Sequence, residues 1–330
     1  MCNVEQSVDE SPQQDQRAGE DSIRALYEWK PYPGLGDKPK DTGRWIRPIS
    51  HLLPKGELRY LDAGCGTGHS VVGMAKAFPA WRYHAMDISR PSLNIAEELS
   101  EKFGVEIEFR QGSYLDPLPF SGPFDLIACF GSLVVCQNPV RAIRNLLSYL
   151  TDDGILMLWL YCKEGHEPRM VTKEILNIFE PDVFSHAQRF KIYRELQAKK
   201  RRGPISFLLD LSLRRVLRAI HTRLQPEHFR KQSFEYDYRQ PDQLWADNFC
   251  IPFEHHHNIL DLKALAEVSG LDVFLLTGQG QEDLGLLPDA WHEPYRKLDQ
   301  WSKWRLMELL RYRHPRAMQV YGRRRNRVTE

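Results

Sequence analysis

One run of this 330-residue chain has residue types and a spacing suited to chemistry: Leu61-Asp62-Ala63-Gly64-Cys65-Gly66-Thr67-Gly68. It sets a carboxylate two residues ahead of three alternating glycines. Glycine lets a backbone turn tightly and approach a ligand without a Cβ clash. The next stretch, residues 69–78, carries apolar residues at helical spacing. The loop therefore opens onto a helix N-terminus, with its unpaired N–H groups and positive dipole end. The dinucleotide fingerprint is G-x-G-x-x-G, whereas here the third glycine comes one residue early. Asp62 would repel a pyrophosphate but would accept hydrogen bonds from an ammonium group, directly or through water. A second acid, Asp87, ends the apolar run Tyr83-His84-Ala85-Met86. At that place a carboxylate can accept from both hydroxyls of a ribose.

Other candidates are less sharply defined. His255-His256-His257 is the most conspicuous cluster. It reads either as a polar turn ahead of a helix or as the source of one general base, since imidazole titrates near neutrality. Consecutive side chains on a strand point to alternate faces, which argues against a three-histidine metal site. Phe130, Tyr161 and His166 fall near strand ends, where packing and a role in chemistry compete as readings. The catalytic candidates are thus Tyr161, His255 and His256, and no metal is expected. The six cysteines form no C-x-x-C pair, so they suggest neither a zinc ribbon nor a disulfide framework. Reduced thiols in a cytosol are the simple reading.

These residues must be positioned by regular elements. Short apolar runs at 59–61, 81–86, 106–110, 124–129 and 155–161 alternate with helix-period segments at 69–78, 92–103 and 139–150. That alternation predicts a doubly wound α/β fold with a mostly parallel sheet and helices on both faces. A helix is expected over 21–29, with Ser22 as its cap, then a Pro/Gly loop over 30–39. After Tyr161 the alternation stops, and 163–251 reads as mostly helical with proline breaks. It resumes with a helix and strand over 260–276, where Gly270 ends the helix. A helix over 293–311 and a strand over 317–323 follow. The chain divides into a disordered tail (1–18), an N-terminal helix and lid loop (19–57), a ligand-binding core (58–162), a basic helical insertion (163–252) and a C-terminal part of the sheet (253–330).

Net charge is only +1, yet thirteen Lys/Arg stand against three acids between Arg189 and Lys231. Within that stretch, residues 205–224 carry an apolar stripe, with Arg214 and Arg218 opposite it and Arg215 to its side. A cap helix with a solvated basic face, an amphipathic helix on an anionic membrane surface, and a contact for RNA or an acidic protein are the competing readings. No apolar run has the roughly 20 residues of a membrane span. The acidic, polar N-terminus is unlike a signal peptide, so a cytoplasmic location is expected, peripheral to a membrane in the second reading.

Residues 62–68 and Asp87 resemble the first two motifs of the class I S-adenosylmethionine-dependent methyltransferases. The resemblance runs over 58–161. It includes Phe124-Asp125-Leu126-Ile127, similar to the family's fourth-strand motif, and Leu150-Thr151-Asp152-Asp153-Gly154-Ile155-Leu156, similar to its turn into the fifth strand. Tyr32-Pro33-Gly34-Leu35-Gly36 and the Trp45 region are similar to a Tyr-Pro-rich segment of a bacterial sub-group.

The resemblance implies a seven-stranded sheet with one reversed strand near its edge, and S-adenosylmethionine as cofactor. Asp62 and the backbone of Gly64, Cys65, Gly66 and Gly68 would hold the methionine end, Asp87 the ribose and Ile88 the adenine. Gly112, Ser113 and Tyr114 would flank the adenine, with Phe130 nearby. The chain departs from the family at Ser113, where an acid is usual and Asp116 is the alternative. It departs again at Gly131-Ser132-Leu133-Val134-Val135, where many relatives carry His-His. The leading expectation is methylation of a small or medium-sized organic acceptor. The alternatives are a protein or RNA methyltransferase and a non-catalytic binding module of the same fold. The sequence leaves the acceptor and the oligomeric state open.

Overall fold

The computed structural model describes residues 13–34, 38–201, 241–278, 280–311 and 317–325. Its centre is an eight-stranded sheet. The strands are β1 (Arg59–Ala63), β2 (Arg82–Asp87), β3 (Ile107–Gln111), β4 (Phe124–Phe130), β5 (Leu150–Cys162), the two-residue β6 (His256–His257), β7 (Leu271–Gly278) and β8 (Ala317–Arg324). Their order is β3-β2-β1-β4-β5-β8-β7, with β6 paired to β5 alone. β1 to β5 run parallel, whereas β8 is antiparallel to both β5 and β7. The expected mostly parallel, doubly wound α/β sheet with one reversed strand is therefore present, together with the short β6.

Side-chain alternation along the strands divides the core. Leu61, Ala63, Ile127, Cys129, Leu156 and Leu158 face one side. Tyr60, Leu126, Ala128, Ile155 and Met157 face the other. This is the period-two rule acting on strands buried on both faces. Helices α1 (Gln13–Trp29), α5 (Pro139–Ser148) and α9 (Ile259–Ser269) cover the first side. Helices α2 (Gly43–Ile46), α3 (His69–Ala77) and α4 (Arg90–Phe103) bring Ile46, Val71, Met74 and Leu93 to the second. The helix boundaries follow local chemistry. Ser89 caps α4 by accepting from the Ser92 N–H, and Asn258 and Asp261 form a capping box on α9. Gly270 ends α9 in the left-handed region at φ 76°, as a C-terminal glycine does.

The remaining helices are α6 (Lys163–Phe179), α7 (His186–Arg201), α8 (Pro241–Phe249), α10 (His292–Arg296) and α11 (Gln300–Leu310). Two expectations are corrected. The first helix begins at Gln13, inside the stretch assigned to the tail. Ser22 is therefore interior to the helix and not its cap, and Ile23 and Leu26 anchor it to the core. The helix expected over 293–311 is two, because Asp299 adopts an extended backbone and caps α11 by accepting from Trp301 and Ser302. The helix expected over 205–224, with Arg214, Arg215 and Arg218, lies outside the described residues. Among the described residues no helix is long and apolar enough to cross a membrane.

Candidate active site

The glycine loop leaves the carboxyl end of β1 and is tied to β2: the N–H groups of Gly64 and Cys65 both donate to the Met86 carbonyl, at 2.8 and 2.9 Å. Gly64, Gly66 and Gly68 have φ of 81°, 55° and 78°, where other residues are strained. Space forbids a side chain as well. A Cβ at Gly66 would stand 2.4 Å from the Tyr32 carbonyl oxygen, and one at Gly64 would stand 2.2 Å from the Ser132 hydroxyl. The Tyr32 carbonyl in turn accepts from the Thr67 N–H at 3.0 Å. The Tyr-Pro segment thus lies directly on the glycine loop.

Two acids face this crevice. Asp62 is 1% exposed, and its Oδ2 has no hydrogen-bond partner among the described residues. Burial pushes its carboxyl up to about 7, helped by the charge of Asp87 and opposed by that of Lys40. A buried carboxylate oxygen with no donor calls for a cation. Asp87 is differently held: one oxygen accepts from the Gly66 N–H at 2.8 Å and the other from the Ser89 N–H at 2.9 Å. Burial raises its carboxyl and these N–H groups lower it. Each oxygen keeps a further lone pair for a ligand hydroxyl.

The other residues expected around the cofactor are placed as follows. Gly112 donates from its N–H to the Asp87 carbonyl at 3.1 Å. The half-buried Ile88 packs on the core beside it. Ser113 is buried, and its hydroxyl accepts from the Leu115 N–H. Asp116 turns to solvent and to Arg141, 3.9 Å away. The Tyr114 hydroxyl donates to the Ser132 carbonyl at 2.9 Å, which carries the ring past Gly64. Phe130 meets Trp45 at 4.2 Å between ring centroids. Ser132 donates to the Ala63 carbonyl at 3.0 Å, so the segment that lacks histidines braces the loop instead.

A second cluster forms at the carboxyl end of β5. β6 pairs in parallel with Tyr161 and Cys162, and its neighbouring residues point to opposite faces. His256 meets Tyr161 and His166 at ring distances of 5.5 and 5.0 Å. His255 faces away, its Nε2 2.8 Å from the Cys136 carbonyl. His257 is buried, which depresses its imidazole to about 4. Only His256 of the three therefore joins Tyr161 and His166.

Residues that the sequence reading did not single out complete this cluster. Glu254, its side chain 1% exposed, accepts from Arg169, and from Lys173 at 2.8 Å, and its Oε2 stands 3.1 Å from His256 Nε2, which also lies 3.3 Å from the Arg169 guanidinium. Its carboxyl is held down at about 2: burial would raise it, but the hydrogen bond from His256 and the two cations outweigh burial. Tyr27 of α1 donates to Asp247 of α8 at 3.2 Å. Burial and the Asp247 charge keep that phenol neutral. Trp29 stacks on His186 with centroids 3.6 Å apart. α1 thus spans from the sheet core to α7 and α8. The period-two spacing of Glu254 and His256, and the i,i+4 spacing of Arg169 and Lys173, were the available signals.

Comparison with known proteins agrees with the fold. Residues 54–202 match the family model described as a methyltransferase domain. An uncharacterised Synechococcus protein is 29% identical over 304 residues, covering 88% of this chain and 68% of that one. A release factor glutamine methyltransferase of Deinococcus radiodurans is 41% identical over 125 residues, 36% of this chain and 44% of that one. Among solved structures, PKMT2 from Rickettsia typhi superposes with a TM-score of 0.58 at 16% identity, over 87% of this chain and 54% of that chain. The match thus spans about half the length of that structure and under half of the named release factor enzyme.

Proposed function

Because residues 54–202 form a class I S-adenosylmethionine-dependent methyltransferase domain, we propose that the chain methylates a small organic acceptor bound at the carboxyl ends of β4 and β5. The cofactor fits the residues present. Asp62 offers a buried, unpartnered carboxylate oxygen to an ammonium. Gly64 and Gly66 leave backbone open for close approach, and Asp87 has lone pairs for the ribose. When bound, the cofactor supplies an activated methyl group on a sulfonium. The protein then has to hold the acceptor in line and exclude water.

The observation that supports the acceptor class is the contact of α1 with α7 and α8: Tyr27 donates to Asp247 and Trp29 stacks on His186. The rings of Tyr27, Tyr161, His166 and His256 are half-buried, which suits a small molecule better than a folded macromolecule. Purified protein would be incubated with methyl-labelled S-adenosylmethionine and either the small-molecule or the macromolecular fraction of the expressing cells. The expected result is label in a small molecule and calorimetric binding of the cofactor. Label confined to protein or RNA would overturn the acceptor class.

A further inference from the structure

We propose that His256, oriented by Glu254, is the general base of this methyl transfer, and that the acceptor atom is a hydroxyl oxygen that arrives still carrying its proton. The inference rests on the methyltransferase reading and goes beyond it, because a cofactor crevice alone requires no base.

The carboxylate decides the direction of the imidazole. His256 Nε2 stands 3.1 Å from Glu254 Oε2 and 3.3 Å from Arg169 Nη2, a donor already engaged with Glu254. Glu254 is ionised throughout the physiological range, so in the proposed tautomer the nearer contact carries the proton on Nε2; the alternative, Nε2 accepting from Arg169, would turn a lone pair toward a carboxylate. Nδ1 then carries the ring's lone pair. That atom is buried and has no hydrogen-bond partner among the described residues, and the side chain is only 8% exposed. An unpartnered buried acceptor costs about 1–3 kcal/mol unless something donates to it. A substrate hydroxyl is such a donor. A carboxylate fixing one imidazole nitrogen so that the other can take a proton is the relation by which triads are recognised on unrelated folds.

The location agrees. His256 sits on a strand paired to the carboxyl end of β5, in the crevice region where open α/β sheets bind ligands. A row of rings leads to it from the glycine loop. Tyr32 touches Gly66 through its carbonyl, its ring lies 6.4 Å from that of Tyr27, and Tyr161 meets His256 at 5.5 Å.

The surrounding charge selects the acceptor. Glu254, His255 and His257 lie on the same segment as His256; Arg169, Lys173 and His166 face it from α6, and Tyr161 from β5. Arg169 and Lys173 against one carboxylate disfavour an ammonium acceptor. A carboxylate acceptor would need no base. A hydroxyl is neutral on arrival and gains negative character as it reacts, beside Arg169. In the step, the O–H bond breaks and its proton passes to Nδ1. An oxygen lone pair bonds to the methyl carbon, and the methyl–sulfur bond breaks with its electron pair left on sulfur. The products are a methyl ether, S-adenosylhomocysteine and an imidazolium that Glu254 neutralises and that later yields its proton to solvent.

The first test needs no turnover. Protein labelled with 15N-histidine and saturated with S-adenosylhomocysteine would be examined by long-range 1H–15N correlation at pH 8, with His256→Gln used for assignment. The expected result is His256 protonated on Nε2 alone, and a mixed tautomer in Glu254→Gln, a change that mere structural support would not produce. A proton on Nδ1 in the wild type overturns the proposal, whether or not Glu254→Gln folds. The second test uses methyl-labelled S-adenosylmethionine with the small-molecule fraction of the expressing cells. An O-methyl product is expected, with kcat at least about 100-fold lower in His256→Gln, the ascending limb of the pH profile lost and S-adenosylhomocysteine affinity unchanged. An N-, S- or C-methyl product, or a full rate in His256→Gln, overturns it. Wild-type protein that binds no cofactor would overturn the methyltransferase reading too, whereas intact binding with the wrong tautomer overturns this inference alone.

Discussion

The two halves of the site are built in opposite ways. The part of the proposed cofactor crevice that would hold the methionine and ribose is made mainly of backbone, from β1, the loop after it and the end of β2, within residues 59–89. The acceptor side is made of side chains from α1, β5, α6, α8 and β6, and one of its bonds, Tyr27 to Asp247, joins residues 220 positions apart. Backbone geometry tolerates almost no substitution, because glycine alone fits. A side-chain cluster can be edited one group at a time. The two halves should therefore fail differently under mutation.

The largest effect is expected at Gly66. Gly66→Ala would place a methyl group 2.4 Å from the Tyr32 carbonyl at a left-handed φ, a strain of about 1–3 kcal/mol before the clash is counted. Calorimetry should find no cofactor binding, and thermal unfolding should come several degrees lower. Binding within tenfold of wild type would mean that the Tyr32 segment yields easily, and the contrast between the halves would weaken.

Glu254→Gln comes next and acts on stability. It would leave Arg169 and Lys173 largely buried without their carboxylate, at a cost of about 3–5 kcal/mol. The carboxyl lies at about 2 in the folded protein, below its usual 4.5. The stability it contributes is therefore present above about pH 4.5 and lost as pH falls toward 2. Denaturant melts of wild type and variant should differ most near neutrality and converge in acid, while cofactor affinity holds. A pH-independent gap would mean that the ion pairs are not its source.

Asp62→Asn should separate binding from stability. Folding raises this carboxyl to about 7 from its usual 3.8. The folded state thus holds the proton more tightly, and the ionised form is an increasing burden as pH rises through 7. The amide removes that burden, so Tm at pH 8 should rise while cofactor affinity falls about 10- to 100-fold, the range for a hydrogen bond to a charge. Wild-type affinity should also weaken as pH drops below 7, and that of the variant should stay flat. A lower Tm in the variant would show that the ionised carboxylate is already compensated within the protein.

The same contrast explains what could be read from the chain. The order of strands and helices was legible because the central strands β1, β4 and β5 are apolar runs and some helices carry a side-chain cap such as Ser89 or Asn258. The glycine loop was legible because its constraint is local. Even the divergence of His255, His256 and His257 followed from strand geometry. Glu254 was not legible: a lone acid beside a histidine run acquires meaning only when α6 brings Arg169 and Lys173 to it. The length of α1 was missed because residues 13–20 are polar, and the break at Asp299 because one capping aspartate outweighed the helical periodicity around it.

The smallest effect should come from Tyr27→Phe, and it tests whether α1 belongs to the acceptor side. The change removes one hydroxyl that donates to Asp247 at 3.2 Å and leaves the ring in place. It also leaves the buried Asp247 carboxylate with one donor fewer, a loss of about 1–2 kcal/mol. α1 should then part more readily from α8 while Ile23 and Leu26 stay in the core. The Tyr32 carbonyl would still brace Thr67, so cofactor affinity should change by less than about twofold. The acceptor KM should rise roughly 5- to 30-fold, the same energy expressed as an equilibrium ratio. If cofactor affinity instead fell in parallel, the hydroxyl would be holding the Tyr32 segment on the glycine loop, and the two halves would be one cooperative unit joined through α1.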